Sequence, residues 1–103
     1  MKIVLGTELK FNIHLEPIDG MHMYDYEFEC VFYTYNNRKV VIPKGQMKMV
    51  DNDNYIAVID SENALRIGRG RIEVEITAHI PDTDFEDGNR TEKLALCTDV
   101  IIV

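Results

Sequence analysis

Residues 71–80 read Arg71-Ile72-Glu73-Val74-Glu75-Ile76-Thr77-Ala78-His79-Ile80. Every even position is apolar and every odd one is polar or charged, the period of an extended strand with one buried face. A helix would spread the same apolar side chains around its circumference. This is the longest strand expected in the chain, and it sets a β reading for what flanks it.

On its N-terminal side, Gly68 and Gly70 break a short helical segment that Asp60 or Ser61 caps and that carries a single turn through Leu65. Further back, Leu9, Phe11, Ile13 and Leu15 alternate with Lys10, Asn12 and His14, and Tyr26, Phe28, Cys30 and Phe32 alternate with Glu27, Glu29 and Tyr33. Asn36-Asn37-Arg38 reads as a turn into Val40, Val41 and Ile42, and Pro43 ends that short strand at a sheet edge. Met47 and Met49 open another short strand as core fillers, Asp51-Asn52-Asp53-Asn54 has the composition of a tight turn, and Tyr55 to Ile59 returns. After the long strand, Leu94 and Leu96 alternate into Val100 and Ile102. About seven antiparallel strands and no full-length helix result. The expected fold is therefore all-β, an immunoglobulin-like antiparallel β-sandwich, with a small closed barrel as its competitor.

The chain has 103 residues, 46% of them hydrophobic, which suits a single domain over residues 1–103 with one core. Neither an internal repeat nor a low-complexity tract interrupts it. Eleven basic against eighteen acidic residues give a net charge of −7, and the basic residues are scattered, so nucleic acid is not an expected partner. Met1 to Gly6 is too short an apolar run for a signal peptide, and no stretch approaches a membrane span. The expected compartment is the cytoplasm, with no membrane partner. Cys30 lies on the apolar phase of its strand and Cys97 on the opposite phase from Leu94 and Leu96, unless a bulge near Thr98 shifts it. Two free thiols are expected.

The residues between the last two strands, IPDTDFEDGNRTEK from Ile80 to Lys93, place turn formers and acids around one aromatic. Pro81 ends a strand, Gly88 and Asn89 allow the chain to reverse, and Phe85 is a single apolar anchor, facing either the body of the domain or a partner. Arg90 is expected to pair with one of the acids. Pro81, Asp82, Asp84, Phe85, Asp87 and Arg90 are thus the candidate interaction loop. Asp82, Asp84, Glu86 and Asp87 offer hard oxygen ligands, but Gly88 falls at the seventh position from Asp82 and Lys93 at the twelfth, out of register for an EF-hand. A solvated loop is the favoured reading.

Other chemistry is absent by pattern. His14, His22 and His79 lack ligand spacing, so no metal is expected. Ser61, the only serine, sits in a capping context, and Gly68-Arg69-Gly70 lacks the strand–turn–helix setting of a phosphate loop. No cofactor is expected and the chain reads as no enzyme. Tyr24, Tyr33 and Tyr35 could form the stacking surface of a small ligand-binding or adaptor module for carbohydrate or protein, which is the alternative function.

Gly6-Thr7-Glu8-Leu9 leads into the first long strand, Tyr55 to Asp60-Ser61 closes a mid-chain strand, and Leu65 to Gly70 opens the longest one. With these motifs, with Ile80-Pro81-Asp82-Thr83-Asp84-Phe85 and with Asp87-Gly88-Asn89-Arg90-Thr91-Glu92, the chain resembles a broad group of small prophage-encoded proteins from gut bacteria, similar to the N-terminal immunoglobulin-like module of phage upper-baseplate proteins. The resemblance implies a non-catalytic structural role in a virion or its tail, with other virion or tail proteins, or further copies of the chain, as partners. It departs from the baseplate protein in lacking a receptor-binding extension after Val103. The C-terminal strand from Leu94 to Val103, ending Val100-Ile101-Ile102-Val103, is expected to be an open edge able to template another chain.

Overall fold

The computed structural model describes residues 1–35 and 38–103, and the Asn36-Asn37 part of the expected turn lies outside them. The strands are β1 (Lys2–Ile3), β2 (Leu9–His14), β3 (Glu27–Tyr33), β4 (Val40–Pro43), β5 (Lys48–Asp51), β6 (Asn54–Ile59), β7 (Gly70–Pro81) and β8 (Asn89–Ile102). One α-helix, α1 (Ser61–Ile67), separates β6 from β7. The strands form a five-stranded sheet in the order β1-β8-β7-β3-β4 and a three-stranded sheet in the order β2-β6-β5.

The alternation of β7 is realised as the sequence dictates: Ile72, Val74, Ile76, Ala78 and Ile80 are all buried. With Phe28, Cys30 and Phe32 of β3 they face the second sheet, whose β6 contributes Tyr55, Ala57 and Ile59 to the same core. Ring contacts join the layers. Phe11 of β2 stacks on Phe32 of β3 with centroids 5.3 Å apart, and Phe28 of β3 meets the ring of Tyr55 of β6 edge-on at 5.2 Å. Two mostly antiparallel sheets thus enclose one apolar core.

The strand count is eight among the described residues, not seven, because β1 pairs in parallel with the end of β8, Lys2 opposite Ile101 and Ile3 opposite Ile102. This corrects the expected open C-terminal edge. The Ile101 and Val103 amides donate to the Met1 and Ile3 carbonyls at 2.8 Å each, and the Leu5 amide donates to the Val103 carbonyl at 3.0 Å. What stays open is the earlier part of β8. Between Cys97 and Ile101 the register with β7 slips, and Thr98 makes the resulting bulge self-sufficient: its hydroxyl donates to the Ile72 carbonyl at 2.8 Å and accepts from the Val100 amide at 3.2 Å.

The bulge comes after Cys97 and so leaves its phase unchanged. Cys97 stands opposite Glu73 on the exposed face of its sheet, whereas Cys30, opposite Ile76, is in the core. The two thiols are free and point to opposite sides of one sheet. Two core assignments made for methionine divide: Met47 packs against the core, but Met49 is exposed along with all of β5, and Met23, which precedes β3, is fully buried.

Helix α1 runs to Ile67, further than the single turn through Leu65. The Asp60 carboxylate accepts from the Asn63 amide at 2.8 Å, and Gly68, with φ 81°, ends the helix. The helix is fixed at both ends from outside. The Ser61 hydroxyl donates to the Gly6 carbonyl at 2.8 Å, and the buried Thr34 hydroxyl, just after β3, donates to the Ile67 carbonyl at 2.8 Å. No helix among the described residues is long and apolar enough to cross a membrane.

Candidate functional site

Strand β7 continues through Pro81, and β8 begins at Asn89 opposite it, so the connection is a hairpin turn over residues 82–88 and not a long loop. Pro81 is tolerated because the β7–β8 ladder bonds through its neighbour. The Asp82 amide donates to the Gly88 carbonyl at 2.9 Å, which leaves the Pro81 nitrogen at a position that faces away from β8.

Within the turn the backbone is tied at successive points. Phe85 donates to the Asp82 carbonyl at 3.3 Å and Gly88 to the Phe85 carbonyl at 2.9 Å. The Asp82 carboxylate accepts from the Asp84 amide at 3.0 Å and the Asp87 carboxylate from the Asn89 amide at 3.1 Å, the short-range bonds typical of aspartate in turns. Gly88, at φ 80°, supplies the left-handed residue the reversal needs.

Arg90 anchors the base of the hairpin. Its guanidinium reaches the Asp82 carboxylate at 2.7 Å, the Asp19 carboxylate at 2.6 Å and Glu92 at 3.1 Å. These bonds, that from Asp19 foremost, push the guanidinium above its ordinary pKa. The expected pairing with an acid of the turn is therefore present through Asp82, and sequence reasoning missed Asp19. The sequence signalled only the turn that carries it: Asp19 and Gly20 both have positive φ, 51° and 77°, and they form the reversal between Ile18 and Met21, whose backbones bond each other at 2.9 Å. An Asp-Gly pair between apolar residues predicts such a reversal.

The remaining candidate residues part company. Asp82 turns inward to Arg90, while Asp84, Phe85 and Asp87 are exposed at the tip. Phe85 is 47% exposed, so it does not pin the loop to the domain, which corrects the internal-anchor reading. The ring sits on a seven-residue hairpin turn and takes no part in the apolar core. The acids do not converge either: among the described residues no group of three or more His, Cys, Asp or Glu side chains is placed to hold a metal ion.

Beside the hairpin base lies a groove of about 400 Å³ lined by Tyr24, Asp25, Glu27, Lys44, His79, Pro81 and neighbouring residues. Lys44 closes one wall. Its ammonium donates to the Tyr24 and Tyr26 carbonyls at 2.9 Å each and lies 5.6 Å from the centre of the Tyr24 ring. Tyr26 faces the core side, where burial first, and then the charges of Asp53 and Glu92, push its hydroxyl up to about 12. The three tyrosines proposed as one stacking surface are not together. Tyr24 precedes β3 and Tyr33 ends it, so the length of that strand, about 20 Å at 3.3 Å per residue, lies between them.

The edges of the sheets complete the inventory of contact surfaces. Strand β4 is short and ends in Pro43, and β5 is short and kinked between Met49 and Asp51. Strand β2 bonds β6 on one side only, but its Leu9 and Phe11 already pack against the core. Strand β8 bonds β7 on one side and, from Asn89 to Cys97, no strand among the described residues on the other. A comparison of the chain with protein-family models, with curated proteins and with solved structures finds no match.

Proposed function

We propose that this chain is a non-catalytic structural or assembly module of a phage or prophage particle, associated with a tail, baseplate or fibre and acting by protein–protein contacts. The observation that carries the reading is Phe85: a large apolar ring, 47% exposed, held at the tip of a hairpin whose backbone is bonded at every turn and whose base is clamped by Arg90. A ring offered on a hairpin whose backbone is tied by its own hydrogen bonds gives a contact surface a pre-ordered anchor with little entropy left to lose.

Strand order supports the immunoglobulin-like part of the reading. A sheet ordered β8-β7-β3-β4 facing one ordered β2-β6-β5 follows the pattern in which the variable-type sandwich sets G-F-C-C′ against B-E-D, with β1 as an extra strand beside the last. The resemblance to the upper-baseplate module supplies the particle. The protein is made in the cytoplasm and ends in the virion.

Co-purification with the products of the neighbouring genes tests the proposal. A tail or baseplate protein should bind, and Phe85→Ala should abolish binding while changing stability by less than about 1 kcal/mol, as for an exposed side chain. A complex that survives Phe85→Ala removes the hairpin from the contact, and no complex with any virion protein overturns the function.

A further inference from the structure

We infer that the tip of the β7–β8 hairpin docks in a basic cavity at the opposite end of a second copy of this chain, so that copies join head to tail. This rests on the proposed contact role of Phe85 and names one partner that it meets.

Basic residues scattered along the sequence are gathered by the fold. Arg38 and Lys39 precede β4, and Arg66, Arg69 and Arg71 run from the last turn of α1 into β7, so five of the eleven basic residues share one end of the sandwich. Arg38, Leu65, Arg66 and Gly68 line a cavity of about 350 Å³ there. Among the described residues the guanidinium groups of Arg38 and Arg66 take part in no ion pair, in a chain with eighteen acids. Glu62 lies one helical turn before Arg66, and residues 63–72 contain no acid at all. Leu65, 54% exposed, supplies an apolar wall beside the two arginines.

Strand β7 holds this end away from the hairpin tip. Arg69 immediately precedes Gly70, Asp82 immediately follows Pro81, and the twelve residues of the strand span about 36 Å at 3.3 Å per residue. Of the molecule's dimensions of 45, 26 and 20 Å, only the longest accommodates that length. The turn over residues 82–88 contains four acids and no basic residue. Arg90 takes Asp82, while Asp84, Glu86 and Asp87 are in no ion pair among the described residues and surround the exposed Phe85 ring.

The occupant follows from complementarity. A ring flanked by carboxylates matches a leucine flanked by guanidinium groups, in charge and in apolar character. The whole chain carries −7, which sets copies against each other at long range, but exposed charges more than about 8 Å apart are largely screened at physiological salt, so the facing ends decide. A single molecule cannot bring its own tip to its own cavity along the length of β7, and the complement to each end is found on a second copy. Such a contact is heterologous: a chain of copies leaves one cavity free at one end and one tip free at the other for a different partner.

Sedimentation velocity over a wide concentration range, at low and at high salt, tests this. At low salt the mass of the parent should rise from 11.9 kDa past that of a dimer, and high salt should reverse the rise. Phe85→Ala, and Arg38→Glu with Arg66→Glu, should each melt like the parent, since these side chains are exposed, and each should weaken association at least about tenfold. An equimolar mixture of the two variants is decisive. The first keeps its cavity and the second its tip, so together they should form one junction and stop at twice 11.9 kDa. A parent that stays monomeric, an association unmoved by either variant, or a mixture that forms no pair overturns the docking. None of these touches the co-purification with virion proteins, whereas copies that join while no virion protein binds would overturn the particle role and leave the docking standing.

Discussion

Replacing Thr34 by valine removes a hydroxyl and preserves shape, which tests the hydrogen bond that hydroxyl gives to Ile67. Thr34 is 1% exposed, and its hydroxyl donates to the carbonyl of Ile67 at 2.8 Å. Ile67 is the last residue of α1, so that carbonyl belongs to the final turn and has no partner within the helix. The bond therefore couples the end of β3 to the only α-helix among the described residues. Valine would forfeit a net bond of about 1 kcal/mol and leave a buried carbonyl short of a partner, for a total of roughly 1–3 kcal/mol. Each kcal/mol lowers the melting midpoint of a domain this size by about 4–8 °C. Urea unfolding followed by circular dichroism measures the change, with an unaltered dependence on denaturant as the sign that both end states are preserved. Thr34→Ser keeps the hydroxyl and loses a methyl group, at a cost of about 1 kcal/mol. A valine variant within about 0.5 kcal/mol of the parent, or a serine variant less stable than the valine one, would refute the assignment.

Burial separates the two cysteines. The Cys30 thiol is pushed up to about 12, by desolvation and then by Glu29, while Cys97 is exposed, so a thiol reagent should label one site per native chain and two after denaturation. Rapid labelling of Cys30 in the native protein would contradict the buried placement. Calcium and chelator should leave the melt unchanged, because Asp82 is committed to Arg90 and the Asp87 carboxylate to the Asn89 amide. A calcium-induced rise of several degrees would show that these acids rearrange around an ion.

Period-two patterning was legible wherever a strand has one face in the core. β2, β3, β6 and β7 all follow it, and the capping aspartate and terminating glycine of α1 follow from their residue types. β1 was not legible, because two residues bonded in parallel to the far end of the chain leave no local period. The fates of Met49 and Phe85 were hidden for a related reason: apolar character says nothing of whether another layer extends that far. Met49 lies on an edge strand, and Phe85 lies beyond the end of the core. At the candidate site, Pro81, Asp82 and Arg90 could be placed together from sequence. Asp19 could not be assigned to Arg90, since a salt bridge across 71 positions depends on how two turns meet in space.

The parallel pairing of β1 with the end of β8 bears on how the chain is made. β1 leaves the ribosome before the other strands described, and its bonding partner leaves after them. Until then the first strand is an unsatisfied ribbon, and closing so long a loop costs about 4 kcal/mol of chain entropy. β2, β6 and β5 can assemble earlier, because their partners are synthesised within the first two-thirds of the chain. In the larger sheet β3, β4 and β7 can pair beforehand, but β1 has no place until β8 arrives. Nascent chains arrested before β8 should therefore be protease-sensitive at Met1–Leu5, and they acquire protection there in one step when Ile101 and Ile102 clear the exit tunnel.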